Sequence, residues 1–219
     1  MRVLVLDTST AAVTAGVVDV DPAGGAVVVT EHVVVDARRH GELLAVGLRK
    51  VLTGPVEAVV VGVGPGPFTG LRVGIVTAAA FADARAIPAL GVCSLDGLSS
   101  PGCGVVTDAR RREVYWARYD GAGRRVDGPH VGPAAAAAAG LQGAGTIVGA
   151  GTALYPEAFD GLPVAAGPRF PTVARLAEVA VRRQLAGEPP LALTPLYLRR
   201  PDVQEPSSPK RVTATLATG

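Results

Sequence analysis

The segment from Val59 to Arg85 constrains the fold more than any other part of the chain. Residues Val59 to Val63 are apolar and typical of a short buried strand, and the four residues that follow, Gly64-Pro-Gly-Pro67, cannot lie inside a helix or a central strand. A helical pattern begins after Phe68 and Thr69 and runs to about Arg85, and we expect Thr69 to cap its first turn. A buried strand joined to a long helix by a tight turn indicates an α/β fold.

The turn itself has two interpretations. A glycine-rich turn before a helix N-terminus can hold an anion. The Walker pattern, however, requires Gly-Lys-Ser/Thr where this chain has Gly70-Leu71-Arg72, and the dinucleotide pattern fits loosely because prolines remove backbone donors. The simpler interpretation is a stiff connection that faces solvent.

The helix predicted from Gly70 to Arg85 is apolar around nearly its whole circumference, which is typical of a helix that is covered on more than one side. Its small residues form one narrow stripe, which we expect to accept a helix of another subunit while the opposite side packs on the sheet. The alternative is a helix enclosed within its own chain. The predicted partner interface also includes the first helix, and its residues are His40, Leu44, Leu48, Phe68, Gly70, Leu71, Gly74, Thr77, Ala78, Phe81 and Ala82.

The composition excludes several classes of protein. Apolar residues make up 48% of the 219 residues, enough for a core without disulfides, and a net charge of +2 is too balanced for a chain that holds nucleic acid alone. The two cysteines, Cys93 and Cys103, have no histidine at a metal-ligand spacing, so we expect reduced thiols in the cytoplasm. We recognise no signal peptide, and no apolar run reaches the roughly 20 residues that span a bilayer, so we expect no membrane association.

The order of predicted elements occurs twice. Three strands, a helix, a strand and a helix precede the segment Ser99–Gly104, and a similar order follows it up to a strongly amphipathic helix at Thr172–Ala186. This duplication predicts two ribonuclease-H-like domains of the actin, Hsp70 and sugar-kinase type. The predicted units are an N-terminal domain at 1–100, a smaller, degenerate domain at 104–200, and a tail at 201–219 that we expect to be disordered.

ATP-binding proteins of this architecture hold magnesium with an acid after the first strand and contact phosphate with neighbouring hydroxyl groups. The residues at that place are Asp7, Thr8, Ser9 and Thr10, and Asp108 occupies the equivalent place in the second half. They form a candidate, vestigial nucleotide site, since the other nucleotide-binding loops are not recognisable beyond Gly149–Thr152. The alternative is that Asp7 only forms a turn. We predict no metal site, because the three histidines form no metal motif.

Five segments resemble the bacterial TsaB family, whose members help to make threonylcarbamoyladenosine in tRNA. The most specific is Val61 to Gly74, which reads Val-Gly-Val-Gly-Pro-Gly-Pro-Phe-Thr-Gly-Leu-Arg-Val-Gly. The others are Leu6–Thr10, Arg39-His40, Asp108–Arg110 with Glu113–Tyr115, and Pro195–Arg199. Together they cover residues 1 to about 200.

The resemblance implies a non-catalytic subunit. It would bind and support TsaD, which transfers the threonylcarbamoyl group to the adenosine beside the tRNA anticodon, and the ATPase TsaE would complete the assembly. The chain would bind no cofactor by itself, ATP would bind only in the assembled complex, and tRNA would be reached through that complex. Without TsaD, the same surface could form a homodimer.

Two alternatives stay open at this point. The first is a small ATP-dependent kinase or phosphohydrolase that uses Asp7 and Asp108. The second is an RNA-binding protein that acts alone, which the near-neutral charge disfavours. The three consecutive arginines Arg110–Arg112 are either a solvated turn or a contact to tRNA or an acidic partner.

Overall fold

The computed structural model describes residues 1–199, which form two β-sheets with helices packed on them. The predicted tail at 201–219 lies outside the described residues. The first sheet has the strand order β3-β2-β1-β4-β5, in which β1 pairs antiparallel with β2 and parallel with β4. Its strands are β1 (Arg2–Asp7), β2 (Ala12–Val20), β3 (Ala26–Val35), β4 (Ala58–Gly62) and β5 (Ala89–Val92).

The second sheet repeats part of this pattern. Its order is β8-β7-β6-β9, with β6 antiparallel to β7 and parallel to β9. The strands are β6 (Cys103–Arg110), β7 (Glu113–Tyr119), β8 (Arg125–Pro133) and β9 (Thr146–Val148). Each half therefore begins with an antiparallel three-stranded meander whose first strand also has a parallel neighbour, which confirms the predicted α/β fold of two similar halves.

Within residues 1–199, five helices pack on the two sheets, and those on the first sheet cover both of its faces. They are α1 (His40–Val51), α2 (Phe68–Arg85), α3 (Ala134–Gly140), α4 (Ala150–Leu154) and α5 (Val173–Leu185), and 3₁₀ turns lie at Ser94–Leu98 and Pro156–Phe159. Leu44 of α1 and Leu71 of α2 pack in one core cluster with β1, β2 and β4. Because both faces are covered, β1 and β4 are almost wholly apolar.

Helix α5 follows the second sheet in sequence but packs on the first. Val173, Leu176 and Ala180 lie in the core cluster formed by the opposite face of β1, β2, β4 and β5. Thr172 caps the helix, because its side chain accepts a hydrogen bond from the Arg175 N–H at 3.3 Å. Sequence order alone groups α5 with the second half, whereas its buried side chains belong to the core of the first sheet.

Helix α2 begins at Phe68, with Pro67 as its N-cap residue and no side-chain cap. The prediction that Thr69 caps the helix is therefore wrong, since Thr69 lies inside the first turn. The preceding turn is also not solvent-facing: Gly64, Pro65 and Gly66 are buried. A Cβ atom at Gly66 would overlap the backbone of Ser9, so glycine allows the turn to pack against the end of β1.

Within residues 1–199, no helix combines the length and hydropathy needed to cross a membrane.

Candidate functional site

The carboxylate of Asp7 lies at the end of β1 and is fully engaged inside the protein. Its Oδ1 accepts hydrogen bonds from Ser9 N at 2.9 Å and Ser9 Oγ at 2.7 Å, and its Oδ2 accepts one from Ser94 Oγ at 2.6 Å. The side chain is 1% exposed, and burial raises the pKa of Asp7 while the hydrogen bonds from Ser94 and Ser9 oppose that rise. Asp7 therefore stabilises the turn after β1 and joins it to the 3₁₀ turn at Ser94.

Thr8 connects the same turn to α2. Its hydroxyl donates a 2.7 Å hydrogen bond to the carbonyl oxygen of Gly70. A Cβ atom at Gly74 would lie closer to Thr8 Oγ1 than the 3.0 Å that real Cβ atoms keep, and one at Gly70 would lie 2.6 Å from Thr8 O. The small residues of α2 thus allow the β1–β2 turn to approach the helix axis closely.

This packing corrects the predicted position of the small-residue stripe. The stripe was expected to be open to a helix of another subunit, but the chain covers it with its own β1–β2 turn and sheet. The residues of the predicted interface that are buried in this way are Gly70, Leu71, Gly74, Ala78 and Ala82.

The other predicted interface residues lie at different depths. His40 and Leu44 are buried, and His40 Nε2 lies 2.9 Å from the carbonyl oxygen of Thr10. Leu48, Thr77 and Phe81 are half-buried, while Phe68 is 45% exposed.

The exposed side of α2 carries residues that the sequence analysis did not select. We define the outer α2 face as Thr69, Arg72, Val76 and Ala80, which recur every three or four residues and are all exposed. Val76 is 64% exposed, although α2 is buried against the sheet on its other side. The outer α2 face therefore exposes the apolar Val76 and Ala80, with the polar Thr69 and Arg72 before them and the exposed Asp83 after them.

A cleft of about 330 Å³ lies between the two halves and contains part of the predicted nucleotide site. Ser9, Thr10 and Asp108 line it, whereas Asp7 and Thr8 are buried in the wall behind. Asp108 is exposed, and its Oδ1 accepts a hydrogen bond from Arg110 N at 2.7 Å. The structure thus brings Ser9, Thr10 and Asp108 together, and it places the carboxylate of Asp7 away from the cavity lining.

The chemistry of this cleft suits an anion better than a cation. Its charged lining residues are Asp108, Arg110 and Arg169, and most of the remaining lining is apolar. Within residues 1–199, no group of three histidine, cysteine, aspartate or glutamate side chains could hold a metal ion. The assignment of a vestigial nucleotide site stays a prediction.

The arginine turn between β6 and β7 has an unusual backbone. Arg110, Arg111 and Arg112 have φ values of 61°, 53° and 64°, in the left-handed region that non-glycine residues rarely adopt. Arg199 holds this turn, because it donates to the carbonyl oxygen of Ala109 at 3.3 Å and pairs with Glu113. The turn therefore keeps a fixed shape instead of forming a loosely solvated hairpin end.

An aromatic pair lies opposite this turn, across a groove of about 430 Å³. The rings of Phe68 and Tyr197 stack with centroids 5.0 Å apart, and the Arg72 guanidinium lies 3.8 Å from the Phe68 ring centre. Arg72 Nε also donates to Tyr197 Oη at 3.1 Å. These contacts tie the segment at 195–199 to the start of α2.

Residues 37–188, which are more than half of the chain, match the family model described as TsaD, tRNA N6-adenosine threonylcarbamoyltransferase. The Escherichia coli tRNA threonylcarbamoyladenosine biosynthesis protein TsaB is 29% identical over 133 residues, which are 54% of this chain and 55% of that protein. The crystal structure titled YeaZ from Pseudomonas aeruginosa is 28% identical, covers 90% of this chain and 100% of its own, and superposes with a TM-score of 0.69.

The chain belongs to the TsaB family. The resemblance expected from the five segments is thereby confirmed, and so is the fold class, since the YeaZ likeness spans both sheets. An uncharacterized protein of Mycobacterium tuberculosis is 45% identical over 212 residues, which are 92% of this chain and 93% of that protein. An uncharacterized protein of Mycobacterium leprae is also 45% identical, and the chain spans 56% of its length.

Proposed function

We propose that this chain takes part in the biosynthesis of threonylcarbamoyladenosine in tRNA as a non-catalytic subunit that binds and supports TsaD. TsaD would carry out the transfer of the threonylcarbamoyl group, TsaE would complete the assembly, and tRNA would be contacted through the complex. Membership of the TsaB family supports a role in threonylcarbamoyladenosine biosynthesis, as does the similarity to the E. coli biosynthesis protein TsaB. The subunit role rests on two features of this chain.

The first feature is the state of Asp7. A kinase or phosphohydrolase of this architecture needs this carboxylate to hold a metal–nucleotide complex in the cleft. Here Ser9 and Ser94 already donate to both of its oxygens, and burial disfavours its charged form. These contacts support a structural role for Asp7 over a role in the alternative ATP-dependent enzyme. We propose that the chain binds no cofactor by itself and that ATP enters only with the assembled complex.

The second feature carries the proposal: α2 is buried on its inner side and yet exposes the apolar Val76 and Ala80 on the outer α2 face. Val76 is 64% exposed, and the half-buried Thr77 and Phe81 adjoin it on the same helix. Helix α1 packs beside α2, so the half-buried Leu48 extends the surface. An exposed apolar patch of this kind is typical of a protein–protein interface. We propose TsaD as its occupant, and a second copy of this chain when TsaD is absent.

The substitution Val76→Glu tests this assignment. Its side chain is solvated in the free chain but would place an unpaired carboxylate in the interface, so we expect at least about tenfold weaker binding to TsaD. Val126→Glu is the matched control, because Val126 is 57% exposed on β8 in the other half. Binding can be measured by titration calorimetry with purified TsaD, and folding by circular dichroism. Unchanged affinity of a folded Val76→Glu chain for TsaD would contradict the proposed interface.

A further inference from the structure

A second arginine-lined cavity lies apart from the cleft and from the outer α2 face. Its volume is about 430 Å³, within the range of pockets that hold small molecules, and it shares no lining residue with the cleft. The β7–β8 turn forms one wall and the last turn of α5 the other. Its lining residues are Asp96, Gly123, Arg124, Arg125, Val179, Arg182, Arg183, Ala186 and Glu188.

Three of the four arginines have carboxylate partners, and each of these ion pairs uses only part of the guanidinium group. Arg125 donates through Nε to Asp96 at 2.9 Å and through Nη1 to the Gly128 carbonyl oxygen at 2.8 Å. The same oxygen of Asp96, Oδ1, also accepts a hydrogen bond from the Tyr119 hydroxyl at 2.8 Å. Arg124 uses Nε for Asp120, at 3.1 Å, and its side chain is 72% exposed. The remaining guanidinium nitrogens of both arginines are available at the cavity.

The two arginines of α5 are less well satisfied. Within residues 1–199, the side chain of Arg182 forms no hydrogen bond or ion pair, although it is half-buried. Arg183 Nε lies 3.1 Å from a Glu188 oxygen, but it is buried and makes no aligned hydrogen bond. In the described part of the chain, the only other buried side-chain donor or acceptor without a hydrogen bond is Thr146 Oγ1. Arg183 also donates through Nη2 to the Pro189 carbonyl oxygen at 3.2 Å, so Arg182 is the one arginine of the four that lacks a partner among the described residues.

We propose that this cavity binds the phosphate group of a small phosphorylated ligand. Guanidinium groups form paired hydrogen bonds with phosphate oxygens, and four of them line this cavity, against the carboxylates of Asp96, Glu188 and the Arg124 partner Asp120. The buried face of Val179, with Ala186, supplies an apolar wall for the remainder of the ligand. The basic side chains of the last α5 turn also complement the helix dipole, but that role needs no cavity and no second pair of arginines.

Titration calorimetry on the full chain, at constant ionic strength, tests the site with inorganic phosphate and with AMP as probes. We expect saturable binding of the phosphate group and a roughly tenfold or greater loss of affinity in Arg182→Gln, as for removal of one charge-assisted hydrogen bond. Tighter binding of AMP would show that the apolar wall contacts an organic part, and equal binding would show that the anion alone is recognised.

The controls separate the site from general electrostatics and from misfolding. Arg118→Gln removes one exposed arginine on β7, outside the cavity lining, and should bind both probes like the unsubstituted chain. Arg124→Gln provides a second cavity variant at a largely exposed side chain, and circular dichroism verifies that each variant is folded. The proposal is overturned if neither probe binds at concentrations up to about 10 mM, which would detect a Kd of about 1 mM. It is also overturned if Arg118→Gln loses as much affinity as Arg182→Gln. This inference does not depend on the proposed role with TsaD.

Discussion

Replacing Gly74 by alanine tests how α2 packs against its own chain. In a solvent-exposed or partner-facing stripe, Gly→Ala inside a helix would stabilise the chain by about 1 kcal/mol, because glycine is a poor helix former. In this structure, the new Cβ would instead overlap Thr8 Oγ1, the hydroxyl that donates to Gly70 O. Overpacking costs about 1–3 kcal/mol, and displacing the hydroxyl costs about 1 kcal/mol more. After the helix gain is subtracted, we expect Gly74→Ala to lower the free energy of unfolding by about 1–3 kcal/mol.

A double-mutant cycle identifies the responsible atom. In Thr8→Ala the hydroxyl is absent, and the nearest remaining side-chain atom at position 8 is Cβ, 3.6 Å from the position of the new methyl group. The double substitution should therefore be less destabilising than the sum of the two single ones. Gly41→Ala is the control, since a Cβ there meets nothing within 4 Å, and it should leave stability unchanged or slightly higher.

Urea denaturation measures the stability of the four variants and of the unsubstituted chain, with far-UV circular dichroism and the fluorescence of the single tryptophan, Trp116, as probes. Trp116 is 8% exposed, so unfolding changes its environment. A stabilised Gly74→Ala chain, or additive effects in the cycle, would refute the packing described for the β1–β2 turn.

Two further predictions concern buried ionisable groups. Because burial raises the pKa of Asp7 above its usual 3.8, the folded chain holds the carboxyl proton more tightly than the unfolded chain does. The stability of the unsubstituted chain relative to Asp7→Asn should therefore fall as the pH rises from about 4 through the pKa of the folded state. Urea denaturation between about pH 4 and 8 measures this difference, and the opposite trend would contradict the raised pKa. Burial also raises the pKa of Cys93 to about 12, and Cys103 is fully buried, so a thiol reagent at pH 8 should label neither cysteine in the folded chain and both in urea; rapid labelling of the folded chain would contradict their burial.

Much of the fold follows from local patterns in the sequence. The proline-rich turn placed the start of α2 at about Gly70, two residues after its observed start at Phe68, whereas the apolar run at Val59–Val63 predicted β4 to within one residue. The amphipathic period at Thr172–Ala186 predicted α5 equally well. Helix α4 was missed because Ala150–Leu154 is only five residues long and has no clear period.

The candidate site depended on information that local patterns do not carry. Helix α2 is apolar around its whole circumference, so the sequence period shows which residues share a stripe but not which stripe faces the core. In the structure the small residues face the core, where Thr8 packs against them. Besides the neighbouring Ser9, Asp7 is engaged by Ser94, which lies 87 positions away and is brought close by the pairing of β1 with β4 and of β4 with β5. The cavity at Arg182 and Arg183 could not be predicted, because its opposite wall is the β7–β8 turn, which is distant in sequence.

The most direct test of the proposed function is the formation of threonylcarbamoyladenosine on tRNA. The assay would contain purified TsaD, TsaE and threonylcarbamoyl-adenylate, with no addition, with this chain, or with its Asp7→Asn or Val76→Glu variant. The account predicts that product formation requires the chain, survives Asp7→Asn when that variant is folded, and is lost with Val76→Glu. Product formation without the chain, or its loss in a folded Asp7→Asn chain that still binds TsaD, would contradict the proposal of a non-catalytic subunit.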